Sequence, residues 1–288
     1  MKLWLVCALL GGLAGCQAHS GYSRDGHHLR WQFAGGVEHV YDMVYVEVNP
    51  DTHREIADSL VSDEPVSRAQ IKQILDDLDL PVASYRATVA RKDAHIHASV
   101  VGIMPGFELP PADWKEEYDR ALIESNVGNV VLAGDFSNEG ELLSFFLETP
   151  QKNLNNLLFS LPSTAVQPGD SWPLDAYGLQ LGSGFTAEHA TRVSTGYLEG
   201  LYRDEQGRQI AEIRYRLRED VDGHFRVRRG EALQDIPIAA TYTYVAQAHF
   251  LIDEGRWLDY TALGVHTTKD TDVGPIVTAY ALRPVKTP

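Results

Sequence analysis

The chain is short of cysteine, of long apolar runs and of basic charge, and each shortage removes a class of function. Two cysteines stand in 288 residues, Cys7 within an apolar run and Cys16 just behind it. A chain cut between them keeps one thiol and forms no internal disulfide, even in an oxidising compartment. The apolar run Leu3 to Leu13 (LWLVCALLGGL) covers 11 residues, against the roughly 20 that a helix needs to cross ~30 Å of hydrocarbon. No later apolar run approaches that length without polar residues. With 25 Lys and Arg against 40 Asp and Glu, the chain lacks the clustered cations by which proteins hold nucleic acid. The same deficit argues against a body lying flat on an anionic leaflet, since peripheral binders carry basic patches. There is no Gly-x-Ser-x-Gly elbow, no phosphate loop, no His-Glu-x-x-His and no second cysteine for a thiolate site downstream. The readily recognised hydrolase, nucleotide and zinc-peptidase signatures are therefore excluded, and no cofactor is expected.

What is present begins at the N-terminus. Lys2, the apolar run and the small pair Ala14-Gly15 have the order of an export signal over residues 1–15. Leu13-Ala14-Gly15-Cys16 resembles the lipobox of bacterial lipoproteins. That resemblance implies that the Cys16 thiol takes a diacylglyceryl group and becomes the first residue of the mature protein. An ordinary secretory signal cut after Ala18 is the alternative. Gln17 is not the Asp that marks inner-membrane retention in enteric lipoproteins, so the resemblance implies an outer-membrane lipoprotein facing the periplasm. Residues 16–27 then read as the lipidated terminus and a polar, flexible tether that holds an acidic body off the bilayer.

From Leu29 onward strand signals dominate. Leu29, Trp31 and Phe33 alternate with polar neighbours, Gly35-Gly36 suits a tight turn, and Val37 to Val48 is rich in β-formers, which together predict a hairpin. The period then changes. Ser67 and Gln70 form a capping box ahead of Ile71, Ile74, Leu75 and Leu78, predicting an amphipathic helix that Pro81 closes. Weaker helical signals cover 52–60 and the stretch from Trp114 to Leu122. Strands are expected over 82–90, 95–103, 130–147, 193–202, 209–218, 224–229, 239–251, 256–268 and 276–282. The fold class is mainly β with a few helices in the first half. Residues 28–160 form one β-rich half with a helical insertion and 161–288 a second, each a curved antiparallel meander. Asn138 to Phe145 and Asp253 to Tyr260 are similar turn-to-strand passages, with three of eight positions identical, so the halves read as products of duplication.

Between the halves, Pro168-Gly169 fits a type II turn, and Trp172 follows as a packing anchor. The passage Leu161-Pro162 through Val166, Gly169-Asp170 and Trp172 resembles uncharacterised bacterial lipoproteins built from two β-rich halves. That family brings no activity with it, and the helical insertion departs from its pattern.

Two groups of side chains stand out. His95 and His97 fall on one face of a strand, about 7 Å apart, a spacing used in zinc sites, and His39, Asp42, His249 and His266 are the remaining donors with no sequence reason to lie near. A half-exposed strand with polar residues outward explains the pair equally well. Arg214, Arg216 and Arg218 alternate with Ala211, Ile213, Tyr215 and Leu217, and Arg226 and Arg228 alternate with Phe225 and Val227. With a turn at Asp222-Gly223 and a bulge to match the apolar sets, five arginines share one face. Like charges there need anions between them, either carboxylates of this chain or an external phosphate. The expected function is a membrane-anchored lipoprotein that binds an apolar or anionic envelope ligand or assists envelope assembly. An envelope enzyme and a structural spacer are the alternatives.

Overall fold

The computed structural model describes residues 26–48, 67, 85–103, 127–138, 140–146, 149–179, 184–229, 232–269 and 274–285. Among them one α-helix, α1 (Thr149–Phe159), accompanies strands β1 (His39–Val48), β2 (Tyr85–Lys92), β3 (His95–Gly102), β4 (Val130–Phe136) and β5 (Leu142–Phe145) of the first half. After it come β6 (Ser171–Pro173), β7 (Phe185–Arg203), β8 (Gln209–Arg229), β9 (Ala232–Leu251), β10 (Arg256–Lys269) and β11 (Ile276–Pro284). All 11 strands make one antiparallel sheet in the order β5-β4-β3-β2-β1-β11-β10-β9-β8-β7-β6. The chain is thus mainly β, and its two halves share a single sheet joined where β1 pairs with β11. The export signal, Cys16, nearly all of the tether and the expected helices over 52–60, 68–78 and 114–122 lie outside the described residues.

The sheet curls. Leu142 on one edge and Trp172 and Pro173 on the other line the same crevice together with Lys152 and Asn156 of α1, so the helix fills the gap between the two free edges. The face turned toward α1 carries the main core, including Tyr41, Ile96, Phe136, Tyr215, Phe250, Trp257 and Tyr260, packed against Leu157 and Leu158 of the helix. Alternation puts these residues there. In β8, Ala211, Ile213, Tyr215 and Leu217 are buried while Arg214, Arg216 and Arg218 on the opposite face remain half-exposed.

Three sequence expectations are corrected. Leu29 and Trp31 do point into the core, but residues 28–33 pair with no strand, and Gln32 N instead donates to Gly255 O at 3.1 Å. There is no N-terminal hairpin; the passage closes one end of the curled sheet. Second, Asp222-Gly223 is not a turn, because β8 continues through it to Arg229. A Cβ on Gly223 would stand 2.2 Å from Thr186 O and 2.6 Å from the Phe185 ring, so the glycine lets β7 lie close against β8. Third, α1 follows β5 where no helix was expected. The turn at Pro168-Gly169 is as read, with Gly169 at φ 94° and Asp170 N donating to Gln167 O at 2.9 Å.

Candidate functional site

The four carbonyls at the end of α1 have no helical partners of their own, as at any helix C-terminus. Here the inner face and the passage at residues 28–33 supply them. Tyr260 Oη donates to Leu157 O at 2.6 Å, Trp257 Nε1 to Leu158 O at 3.0 Å, Trp31 Nε1 to Phe159 O at 3.0 Å and Tyr215 Oη to Ser160 O at 3.1 Å. The rings pack edge-on, Trp257 lying 5.1 Å from Phe250 and 5.8 Å from Trp31. Burial pushes the Tyr215 and Tyr260 phenols up, so they stay protonated donors at any physiological pH; the Tyr41 phenol is raised likewise and accepts from Trp257 N at 3.1 Å. This end of the sheet is sealed.

The remainder of α1 is fixed by asparagines. Asn155 Nδ2 donates to Ala133 O at 3.0 Å, Asn156 Nδ2 to Asp175 O at 2.5 Å, and Asn153 Oδ1 accepts from Tyr177 N at 2.9 Å. The last two hold a strap, residues 174–179, across the inner face. Its far end is held by Glu219, a buried carboxylate on β8 that accepts from Gly178 N at 2.8 Å and Leu179 N at 3.0 Å and pairs with Arg192. Arg192 also stacks on the Tyr177 ring, 3.7 Å from its centroid.

At the other end the same face is unfinished. Tyr45 is 43% exposed beside Tyr280, 5.1 Å between ring centroids. Tyr242 is wedged between Gly178 and Gly264, where Cβ atoms would stand 1.7 and 2.6 Å from it. His266, cross-strand from Tyr242 and Ile276, has an enclosed Nε2 with no hydrogen-bond partner among the described residues, and burial lowers its pKa. Beyond this level β7, β8 and β9 continue as a three-stranded ribbon. β9 from Ala232 to Ile238 pairs with β8 alone, and the ribbon's inner side carries the half-exposed Phe185, Phe225, Val227, Ile236 and Ile238. An exposed apolar track therefore begins where the packed core stops.

His95 and His97 lie together on the outer face, where His97 Nδ1 meets Asp135 Oδ1 at 2.8 Å and Ser144 Oγ donates to Asp135 Oδ2 at 2.8 Å. The carboxylate sits between hydroxyl and imidazole, whereas nucleophilic catalysis needs the imidazole in the middle. Of the other donors, His39 and His266 project to the inner face and Asp42 is held by Arg86 at 3.2 Å. Among the described residues no group of three His, Cys, Asp or Glu is placed to hold a metal ion.

The five arginines share the outer face of one continuous strand, so no ladder sets them against each other. Arg214 meets Glu199 at 2.7 Å, Arg218 meets Asp220 at 2.9 Å and Arg226 meets Asp235 at 2.9 Å. Arg216 lies between Thr195 and Val245, and Arg228 is exposed opposite Leu233. The Arg218 guanidinium holds the Asp220 carboxyl below the usual carboxylate range. Carboxylates of this chain thus already occupy Arg214, Arg218 and Arg226.

Beside this packing, on the surface, lies a cavity of about 520 Å³ lined by Gln32, Glu38, His39, Glu254 and Arg256 among others. Its cation is engaged, Arg256 meeting Glu254 at 2.7 Å. The tyrosines, the strap, Glu219 and the place of His266 were not picked out from sequence. One signal was available: Thr149-Pro150 followed by Leu154, Leu157 and Leu158 is a helix start with i, i+3, i+4 spacing.

Compared with family models, with curated proteins and with solved structures, the chain matches none.

Proposed function

We propose that the chain is an outer-membrane lipoprotein facing the periplasm, anchored through acylated Cys16, whose curled sheet binds an apolar ligand at its open end. The observation that carries this reading is the change along one face: Tyr260, Ala262 and Phe250 are fully buried, whereas Tyr45 and the ribbon's aromatic and branched side chains are not. Leaving apolar surface in water costs about 25 cal/mol per Å², and a contiguous patch of it marks a binding surface. The lipobox and the lone thiol support the anchor. The body belongs, on this reading, with the two-half β-rich lipoproteins it resembles, and its halves arose by duplication. Equivalent turns support that: Gly140 (φ 83°) and Gly255 (φ 58°) each open the fifth strand of a half. Superposing an experimental structure of residues 130–145 on residues 245–260 tests it, and a mismatched turn register would remove it.

Native mass spectrometry of the protein taken from membranes in mild detergent tests binding. An apolar adduct is expected on the native chain and lost from Tyr45→Asp; its absence from both would contradict the reading. The intact mass must also show a diacylated N-terminus at Cys16. An unmodified terminus elsewhere would overturn the anchor.

A further inference from the structure

At the sealed end the extended passage 28–33 alternates as a strand does, sending Leu29 and Trp31 into the core and leaving His28 and Arg30 exposed. Alternation in β2 brings a second arginine from the other side. Ala87 and Val89 are buried, and Arg91, next in step on that face, lies one position beyond the core and is exposed. Asn138 stands two residues past the buried Phe136, and Arg91 Nη2 donates to its Oδ1 at 3.1 Å. These side chains surround a further cavity of about 460 Å³, lined by His28, Arg30, Trp31, Gln32, Arg91 and Asn138.

This lining runs against the charge of the chain. There are 25 basic residues to 40 acidic ones, and the cavity that shares Gln32 with this one holds Glu38, Asp253 and Glu254. Here no carboxylate is among the described residues of the lining. The two guanidinium groups also differ from those on β8, where Arg214, Arg218 and Arg226 each meet a carboxylate. Arg30 meets none among the described residues, and Arg91 meets only the neutral amide of Asn138. The other polar atoms are spoken for or are donors. Gln32 Nε2 is committed to Ile252 O at 2.9 Å and Trp31 Nε1 to Phe159 O, while Arg91 occupies Asn138 Oδ1 and leaves the amide nitrogen of Asn138 to donate.

We propose that this cavity binds an organic phosphate monoester, with the phosphate held between Arg30 and Arg91. Two guanidinium forks facing one space repel unless an anion lies between them. A phosphate monoester presents three terminal oxygens and so accepts from both forks at once, whereas the two oxygens of a carboxylate satisfy one. The cavity falls within the roughly 300–1,000 Å³ of small-ligand clefts, more than a bare ion fills, so the group that carries the phosphate lies in it as well. Soluble phosphate esters and lipid headgroups share this chemistry. Arg30 follows Cys16 by 14 residues, at most about 50 Å of chain, so on the anchor proposed above the headgroups of that leaflet are within reach. The phosphate site itself depends neither on the anchor nor on the apolar site at the open end.

The test is calorimetric titration of the mature protein in mild detergent with glycerol phosphate, dihexanoyl phosphatidic acid and dihexanoyl phosphatidylcholine, at low salt, where exposed charges are least screened. Both monoesters should bind, and Arg30→Gln and Arg91→Gln should each weaken them about tenfold, the worth of a charge-assisted hydrogen bond. Both arginines are exposed, so these variants should melt with the native chain. Arg91→Lys keeps the charge without the fork and should recover only part of the loss. Arg214→Gln, at an arginine already paired with Glu199, should leave the affinity unchanged. Equal affinity for the two monoesters assigns the site to a free phosphate ester, and tighter binding of phosphatidic acid assigns it to a lipid headgroup. Failure of both monoesters to bind, unchanged affinity in Arg30→Gln or Arg91→Gln, or an equal loss in Arg214→Gln would overturn the proposal, as would phosphatidylcholine binding as tightly as phosphatidic acid. Acyl chains taken up at the open end would show as binding that Arg30→Gln leaves untouched, so failure of the phosphate site and failure of the apolar site are read separately.

Discussion

The sealed and open ends of this sheet are made from the same face and largely the same residue types. At the sealed end Trp31, Trp257, Tyr215 and Tyr260 each have two attachments, a ring packed edge-on against other rings and a donor committed to a carbonyl at the end of α1. At the open end the tyrosine hydroxyls bond one another, the rings are left partly in water, and an imidazole nitrogen is unmatched. Aromatics alone do not distinguish a core from a binding surface. What separates them is whether the ring is packed on every side: the Trp257 and Tyr260 rings are fully buried, and Tyr45 is 43% exposed.

Substitutions can break this contrast, and the largest effect belongs to the sealed end. Trp257→Ala removes a fully buried ring and leaves Leu158 O without its donor, and should cost about 3–5 kcal/mol in urea unfolding. Tyr45→Ala, at 43% exposure, should cost less than about 1 kcal/mol while weakening ligand binding. Equal destabilisation by the two would erase the distinction. Glu219→Ala frees the strap and strands Arg192, for about 2 kcal/mol, less than a fully buried pair because Arg192 is half-exposed. Glu219→Gln should cost less, because it still accepts from the strap. Tyr260→Phe leaves Leu157 O unpaired and should cost about 1–2 kcal/mol by the same measurement.

The smallest effect lies on the outer face. Hydrogen bonding from His97, then from Ser144, lowers the Asp135 pKa in the folded chain. A depressed carboxylate adds stability above its unfolded pKa of about 4 and loses it as pH falls through the lower folded value. The pair is well exposed, so Asp135→Asn should change stability by less than about 1 kcal/mol at neutral pH. Thermal melts between pH 7 and pH 3 should show the gap between the two proteins narrowing.

How legible these regions were differs in the same way. Period-two alternation placed Ala211, Ile213, Tyr215 and Leu217 opposite the arginines, because strand parity is local. Helix α1 was hidden because three of its buried residues are asparagines, poor helix formers whose place is explained by partners at Ala133, Asp175 and Tyr177. Asp222-Gly223 has the composition of a turn, yet Gly223 is there to admit a neighbouring strand, which no window around it reveals. The alternation of Leu29 and Trp31 was real, but their partner is a helix end more than 100 residues away. His266 falls in step with Tyr260 and Ala262; its unmatched nitrogen depends on which strands flank β10.

One spectrum sees both ends at once. The indole N–H groups of Trp31, Trp172 and Trp257 report the sealed end, and the imidazole of His266 reports the open one. Proton–nitrogen correlation spectra recorded while dodecane, an apolar probe, is added should show the His266 ring resonances moving to saturation with the indole signals fixed. Indole signals that move while His266 stays still would contradict the account.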